Sequence, residues 1–238
     1  MPELVTVVLF ALLPPAGNFV GGLVAEVLPE SKRFRSAALH AAAGVVVAVV
    51  AVEIMPTALD VLSGWAIGLA FAVGGILYLF ADWGMDRLSG GNSRMWMIYL
   101  AVSFDLFADG LLIGAGSSIG ASLGLALAVG QVLADMPEGA AAIMTFRASE
   151  VPRSRRFLLS AGLFIPPLVA TLVAYLLLRE AGQGTQSAAL VVTAGLFSVA
   201  ALEDMLKEAH EAESDSKVLT LSLVLGFSLF AIVSQILG

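Results

Sequence analysis

Four carboxylates sit inside two apolar stretches of this chain, and their spacing is helical. Asp105 and Asp109 lie four residues apart in one stretch; Asp135 and Glu138 lie three apart in the next. On an α-helix each pair shares a face, and Gln131 falls one turn before Asp135 on that same face. A charged side chain at bilayer depth costs about 2.5–3.5 kcal/mol on insertion scales. Neither stretch holds a Lys or Arg, so four such acids call for a cationic counterpart, either a metal ion or protons. Each pair ends in an acid followed by glycine, Asp109-Gly110 and Glu138-Gly139. The two stretches therefore read as approximate counterparts, the weak internal symmetry seen in transporters with a site near the midplane. Pro137 has no N–H to give the Leu133 carbonyl, and Pro56, three residues after Glu53, does the same to Val52. Irregular backbone of this kind is tolerated at membrane depth where it lines a cavity or an ion site. Glu53 is thus a candidate further ligand or gate from a third helix.

The elements that must carry these groups follow from composition. The chain has 238 residues, is 59% hydrophobic and only 13% charged, and its mean hydropathy is +0.95. That much apolar surface defines an all-α, polytopic membrane protein. A net charge of −7 excludes a nucleic-acid partner, and the absence of cysteine excludes disulfides and thiolate metal sites. Eight apolar segments of roughly helix-spanning length are expected near residues 4–26, 36–60, 63–84, 95–117, 119–145, 155–178, 187–209 and 216–237. All but Arg179 of the 12 Lys and Arg residues fall on one side of those spans. By the positive-inside rule both termini are expected outside the cytoplasm. The N-terminal segment lacks a basic lead-in and contains Pro14 and Pro15, so it is expected to be a retained first span rather than a cleaved signal. Residues 1–238 are read as a single transmembrane domain. Asn18 and Gln131 suit interhelical hydrogen bonds; Gly17-x-x-x-Gly21, Gly64-x-x-x-Gly68 and the glycines at 110, 114 and 116 suit close helix packing.

The segments DLFADGLLIG and ADMPEGAAA resemble the fourth and fifth transmembrane helices of the ZIP (Zrt-, Irt-like protein) metal-ion transporters. In that family the fourth helix reads His-Asn-x-x-acid-Gly, and the fifth reads His or Gln, acid, x, Pro, Glu. VEIMPTALD and EDMLKEAH are similar to the family's second- and seventh-helix motifs. The resemblance implies eight helices with an internal inverted repeat, a homodimer and a central metal site. It gives that site to Asp105, at the position of the fourth-helix histidine, and to Asp109, Asp135 and Glu138. Glu203 and Asp204 match the seventh-helix His-Glu pair, and His210 matches its later histidine, giving a release site. The departures are consistent: Leu106 replaces the asparagine, Ala134 the fifth-helix His or Gln, and Ile165 an acid found on the sixth helix of some members. His40, at the end of the second span, is read as structural.

Oxygen-only ligands favour hard ions such as Mn²⁺, Mg²⁺ or Ca²⁺, with Fe²⁺ also accepted; zinc, the family's usual substrate, prefers nitrogen and sulfur where offered. The expected activity is transport of a divalent cation, taken as substrate, with no prosthetic group and no catalysis. Carboxylates crowded together out of water are expected to hold protons that an entering cation displaces, after which one helix bundle rocks against another. The resemblance implies movement into the cytoplasm, across a bacterial or archaeal inner membrane. Two other readings use the same acids: a cation-binding sensor or scaffold that moves nothing, and an intramembrane aspartyl protease. The latter normally carries Tyr-Asp and Gly-x-Gly-Asp, whereas here Asp105 follows Phe104 and Asp109 follows Ala108.

Overall fold

The computed structural model describes residues 2–27, 31–89, 94–212 and 217–237, with backbone alone at 85, 86, 88, 89, 94, 201 and 204–212. Among the described residues there is no β-strand. The first rod is α1 (Leu4–Ala11) followed by α2 (Leu13–Val27). Pro14 and Pro15 fall in the first turn of α2, where a missing N–H costs little. The second begins at α3 (Lys32–Ala48), capped by the Ser31 hydroxyl, which accepts from the Phe34 N–H at 3.3 Å. It runs through a π-helical turn (Val49–Ile54) into α4 (Met55–Leu59). The wider turn falls just ahead of Pro56, where the ordinary helical ladder loses a donor. Next come α5 (Gly64–Ser89), α6 (Arg94–Ile119) and α7 (Ala121–Ala148), the last keeping Pro137 in its interior. α8 (Arg153–Gly162) leads into α9 (Ile165–Leu178), with Pro166 and Pro167 in its first turn; α10 (Gln183–Ala212) and α11 (Lys217–Leu237) complete the chain.

Six of these rods are long and apolar enough to cross a membrane: Leu4–Val27, Lys32–Leu59, Gly64–Gly84, Met95–Ile119, Arg153–Leu178 and Lys217–Leu237. They give the molecule its multi-pass membrane character. α7 and α10 have 28 and 30 residues, ample length, but carry more polar sequence, including Gln131, Asp135 and Glu138 in α7.

The helices pack in pairs. α2 lies on α7, α6 on α9, α3 on α11 and α5 on α10, with α6 also against α7 and α3 against α10. Glycines set the closest approaches. A methyl group on Gly21 would run into the Met136 backbone, and one on Gly139 into the Asn18 carbonyl; Gly110 and Gly114 are pressed in the same way against Pro167 and Thr171. Gly44 and Gly226 join α3 to α11, while Gly74 and Gly195 join α5 to α10. The Gly64-x-x-x-Gly68 expectation is corrected: among the described residues neither glycine has a neighbour within 4 Å, because α5 meets α10 further along, at Gly74. The central core gathers Leu39, Ile54, Leu112, Leu127, Phe197 and Phe230. Basic side chains cluster at one end. Arg156 clasps Glu26 through both oxygens at 2.6 and 2.8 Å, and Arg87 and Arg155 lie over the rings of Trp83 and Trp96. Tryptophan and arginine in that company are typical of a membrane–water boundary.

Candidate cation site

α6 and α7 cross near their middles, and there the aspartates meet. Asp105, Asp109 and Asp135 each present a carboxylate oxygen, and the three oxygens lie within 4.8 Å of one another. Asp109 and Asp135 are sealed from solvent at 0% and 1% exposure, and Asp105 is buried beside them. Helical spacing explains the convergence. Asp105 and Asp109 stack one turn apart on the face that α6 turns toward α7, and α7 answers with Gln131 and Asp135, also one turn apart. The Gln131 side-chain amide donates to Asp109 Oδ1, tying the two helices together at the site. Its own Oε1 is buried without a hydrogen-bond partner among the described residues, as are Oδ2 of Asp109 and Oδ2 of Asp135.

Among the described residues, the charged groups that act on Asp135 are Asp109, Glu138 and Asp105, and on Asp109 the charged group is Asp105. All carry the same sign. Two ionised carboxylates about 4–5 Å apart repel by roughly 3–4 kcal/mol even at an effective dielectric near 20. The buried acceptor atoms left without donors add a desolvation cost of about 1–3 kcal/mol each. Such an arrangement is relieved by whatever supplies positive charge at the centre of the cluster: protons on the acids, or a cation held by all three. The donor set is oxygen throughout, with an amide carbonyl alongside, which is the chemistry of hard divalent ions.

Among the described side chains, the remaining sequence-derived candidates lie outside this trio. Glu138 is half-buried on the next turn of α7, close enough to act electrostatically on Asp135. Glu53 is half-buried in the π-helical turn, and its Oε1 accepts from the Ser234 hydroxyl of α11. Glu203 is exposed on α10, and the side chains of Asp204 and His210 lie outside the described residues. His40 is buried, and its Nδ1 donates to the Ser36 carbonyl at 2.8 Å, one turn back in its own helix. Leu106 and Ala134, which flank the acids in sequence, are fully buried in apolar packing, and Ile165 points outward at 64% exposure.

Among known proteins, the chain matches no family model and no curated sequence.

Three features of the region escape sequence reasoning. Ser234 is one serine among many, and only the pairing of α3 with α11 brings it to Glu53. The π-helical turn around Glu53 is foreshadowed only by Pro56. Thr171 of α9 is fully buried with its hydroxyl unpartnered among the described residues, and its backbone receives Gly114 of α6. Asn18 corrects an expectation: its Nδ2 makes no hydrogen bond among the described residues, and it meets α7 through its backbone at Gly139.

Proposed function

We infer that the chain is a divalent metal cation transporter of the ZIP type, carrying its ion across the membrane through the carboxylate cluster of α6 and α7. One observation carries this reading. Three aspartates converge within 4.8 Å at the middle of two long helices, and the charges acting on Asp109 and Asp135 are those of other acids. A structural role would be served by one acid with one donor; unpartnered oxygens on Asp109, Asp135 and Gln131 suit an ion that they would share. The substrate would be a hard divalent cation, Mn²⁺ or Mg²⁺ before Zn²⁺, because no histidine lies among the cluster residues.

The packing of the helices supports the inverted repeat that goes with this reading. Number the rods as eight spans, with α7 the fifth and α10 the seventh. Exchanging the first with the sixth, the second with the seventh, the third with the eighth and the fourth with the fifth leaves the main pairings unchanged. α2 on α7 becomes α9 on α6, and α3 on α11 becomes α10 on α5. Three glycine contacts exchange in the same way: Gly139 on Asn18 with Gly110 on Pro167, Gly44 on Leu223 with Gly195 on Phe71, and Gly226 on Ala41 with Gly74 on Val192. Odd and even spans run in opposite directions, so the relation is an inversion, and α6 and α7, which carry the acids, are its central pair. The first, fourth, fifth and sixth spans then form one bundle, and the others a second that it can rock against. Glu53 and Ser234 belong to the second bundle and stand as a gate rather than a ligand. Both termini lie outside the cytoplasm, and the ion leaves on the basic side, past Glu203 and Asp204.

Flux decides the matter. Purified protein in proteoliposomes should take up radioactive manganese or zinc, and Asp109→Ala and Glu138→Ala should each reduce uptake to the level of empty vesicles. Undiminished uptake in both variants would sink the proposed path. Tight cation binding with no flux would favour the sensor, and cleavage of an added transmembrane peptide the protease.

A further inference from the structure

A crevice separates α3 from the α2–α7 pair, and its chemistry is not that of the cation path. Its apolar part, a cavity of about 150 Å³, is walled by Val24, Phe34, Ala38, Met136 and Ala140, with Arg35 at its edge. Arg35 and Met144 are shared with a second, polar cavity of about 220 Å³ that also takes in Ser31 and Lys32. The two form one slot: an oily trough running from Pro137 toward the membrane edge and opening into a basic mouth. Lys32 is exposed at that mouth.

A trough lined by side-chain methyl and methylene groups offers a cation nothing, and a doubly basic entrance repels it. An acyl chain attached to an anionic head group is complementary to both parts. Basic pockets between transmembrane helices are where anionic lipid head groups bind, and the Lys- and Arg-rich side of this molecule is the side that faces such lipids under the positive-inside rule. We propose that this slot holds one anionic phospholipid, its phosphate against Lys32 and Arg35 and part of one acyl chain between α3 and α7. The volume takes a stretch of chain, not a whole lipid, so the rest of the molecule remains in the bilayer. This site depends on shape and charge alone and stands whether or not the acids carry a metal.

Native mass spectrometry of the detergent-purified protein tests it, with phosphatidylglycerol and phosphatidylcholine of matched chains as probes. Phosphatidylglycerol should be retained preferentially. Lys32→Gln, at an exposed position, should lower its retention by about fivefold, the worth of one basic residue near an anionic lipid, and Lys32→Gln with Arg35→Gln by more. Ala38→Trp, which fills the trough but leaves the mouth intact, should also lower retention, with unchanged helical circular dichroism as the control for folding. Inorganic phosphate should not displace the lipid. Equal retention of the two lipids, indifference to Lys32→Gln, full retention in a folded Ala38→Trp variant, or displacement by phosphate would each overturn the assignment.

Discussion

Gln131 does two jobs at the site, and each can be separated from the acids. Its amide bridges α7 to Asp109, and its buried carbonyl oxygen, without a hydrogen-bond partner among the described residues, is on the transport reading a further oxygen for the ion. Removing a hydrogen bond to a charged group costs about 1.5–3 kcal/mol, so Gln131→Ala should weaken cation binding roughly 10- to 100-fold by calorimetry. Gln131→Glu should bind more tightly than alanine, because it restores an oxygen ligand. Glu53 calls for the opposite pattern. It bonds Ser234 rather than the trio, so Glu53→Gln should leave equilibrium binding near that of the wild type while lowering flux in the same vesicles. A loss of binding equal to that of Asp109→Ala would move Glu53 into the ligand set. At this scale the sequence was informative because spacing on a single helix is geometry: residues four apart share a face, and Asp105 and Asp109 do. It was silent on Ser234, since nothing in either segment encodes which distant helix it will touch.

The helices themselves were largely legible. The ends expected near 95 and 117 fall at Arg94 and Ile119, and those near 119 and 145 at Ala121 and Ala148, because apolar runs of spanning length are bounded by Arg, Gly and Ser that leave the hydrocarbon. What hydropathy does not encode is mutual packing. Gly-x-x-x-Gly reads the same at Gly17 and at Gly64, yet Gly17 is pressed against Val132 and Gly64 meets nothing within 4 Å. That contrast is measurable. Gly139→Ala places a methyl against the Asn18 backbone and should destabilise the protein by about 1–3 kcal/mol, the usual cost of overpacking, whereas Gly64→Ala should shift stability by less than about 0.5 kcal/mol. Thermal unfolding in detergent resolves the two. Pro137 sits inside an unbroken α7 at a helical cost of about 3 kcal/mol relative to alanine. Pro137→Ala should therefore raise the melting temperature. On the transport reading it should also slow flux, since it returns a donor to the Leu133 carbonyl and stiffens the helix that carries Asp135 and Glu138.

Taken whole, the described residues form a paired set of helices whose main pairings exchange under one relabelling, with the acidic pair of helices at the centre of that exchange. On the proposed eight-span reading that exchange is an inversion, and both termini lie on one side. The chain has no cysteine, so single introduced cysteines report topology cleanly. On that reading Ser154→Cys, in the first turn of α8, and Thr185→Cys, in the first turn of α10, flank the α8–α9 rod at its two ends and should react with an impermeant maleimide from opposite faces of the membrane, Thr185→Cys from outside. Labelling of both from one side would break the eight-span topology while leaving the aspartate cluster intact. The central claim is narrower than topology: the three converging aspartates hold a divalent cation. Anomalous diffraction from crystals grown with Mn²⁺ tests it directly. The account predicts a manganese peak ringed by the carboxylates of Asp105, Asp109 and Asp135, at about 2.0–2.6 Å, the range of oxygen distances for hard divalent ions. Manganese found elsewhere in the protein, with the trio empty, would contradict it.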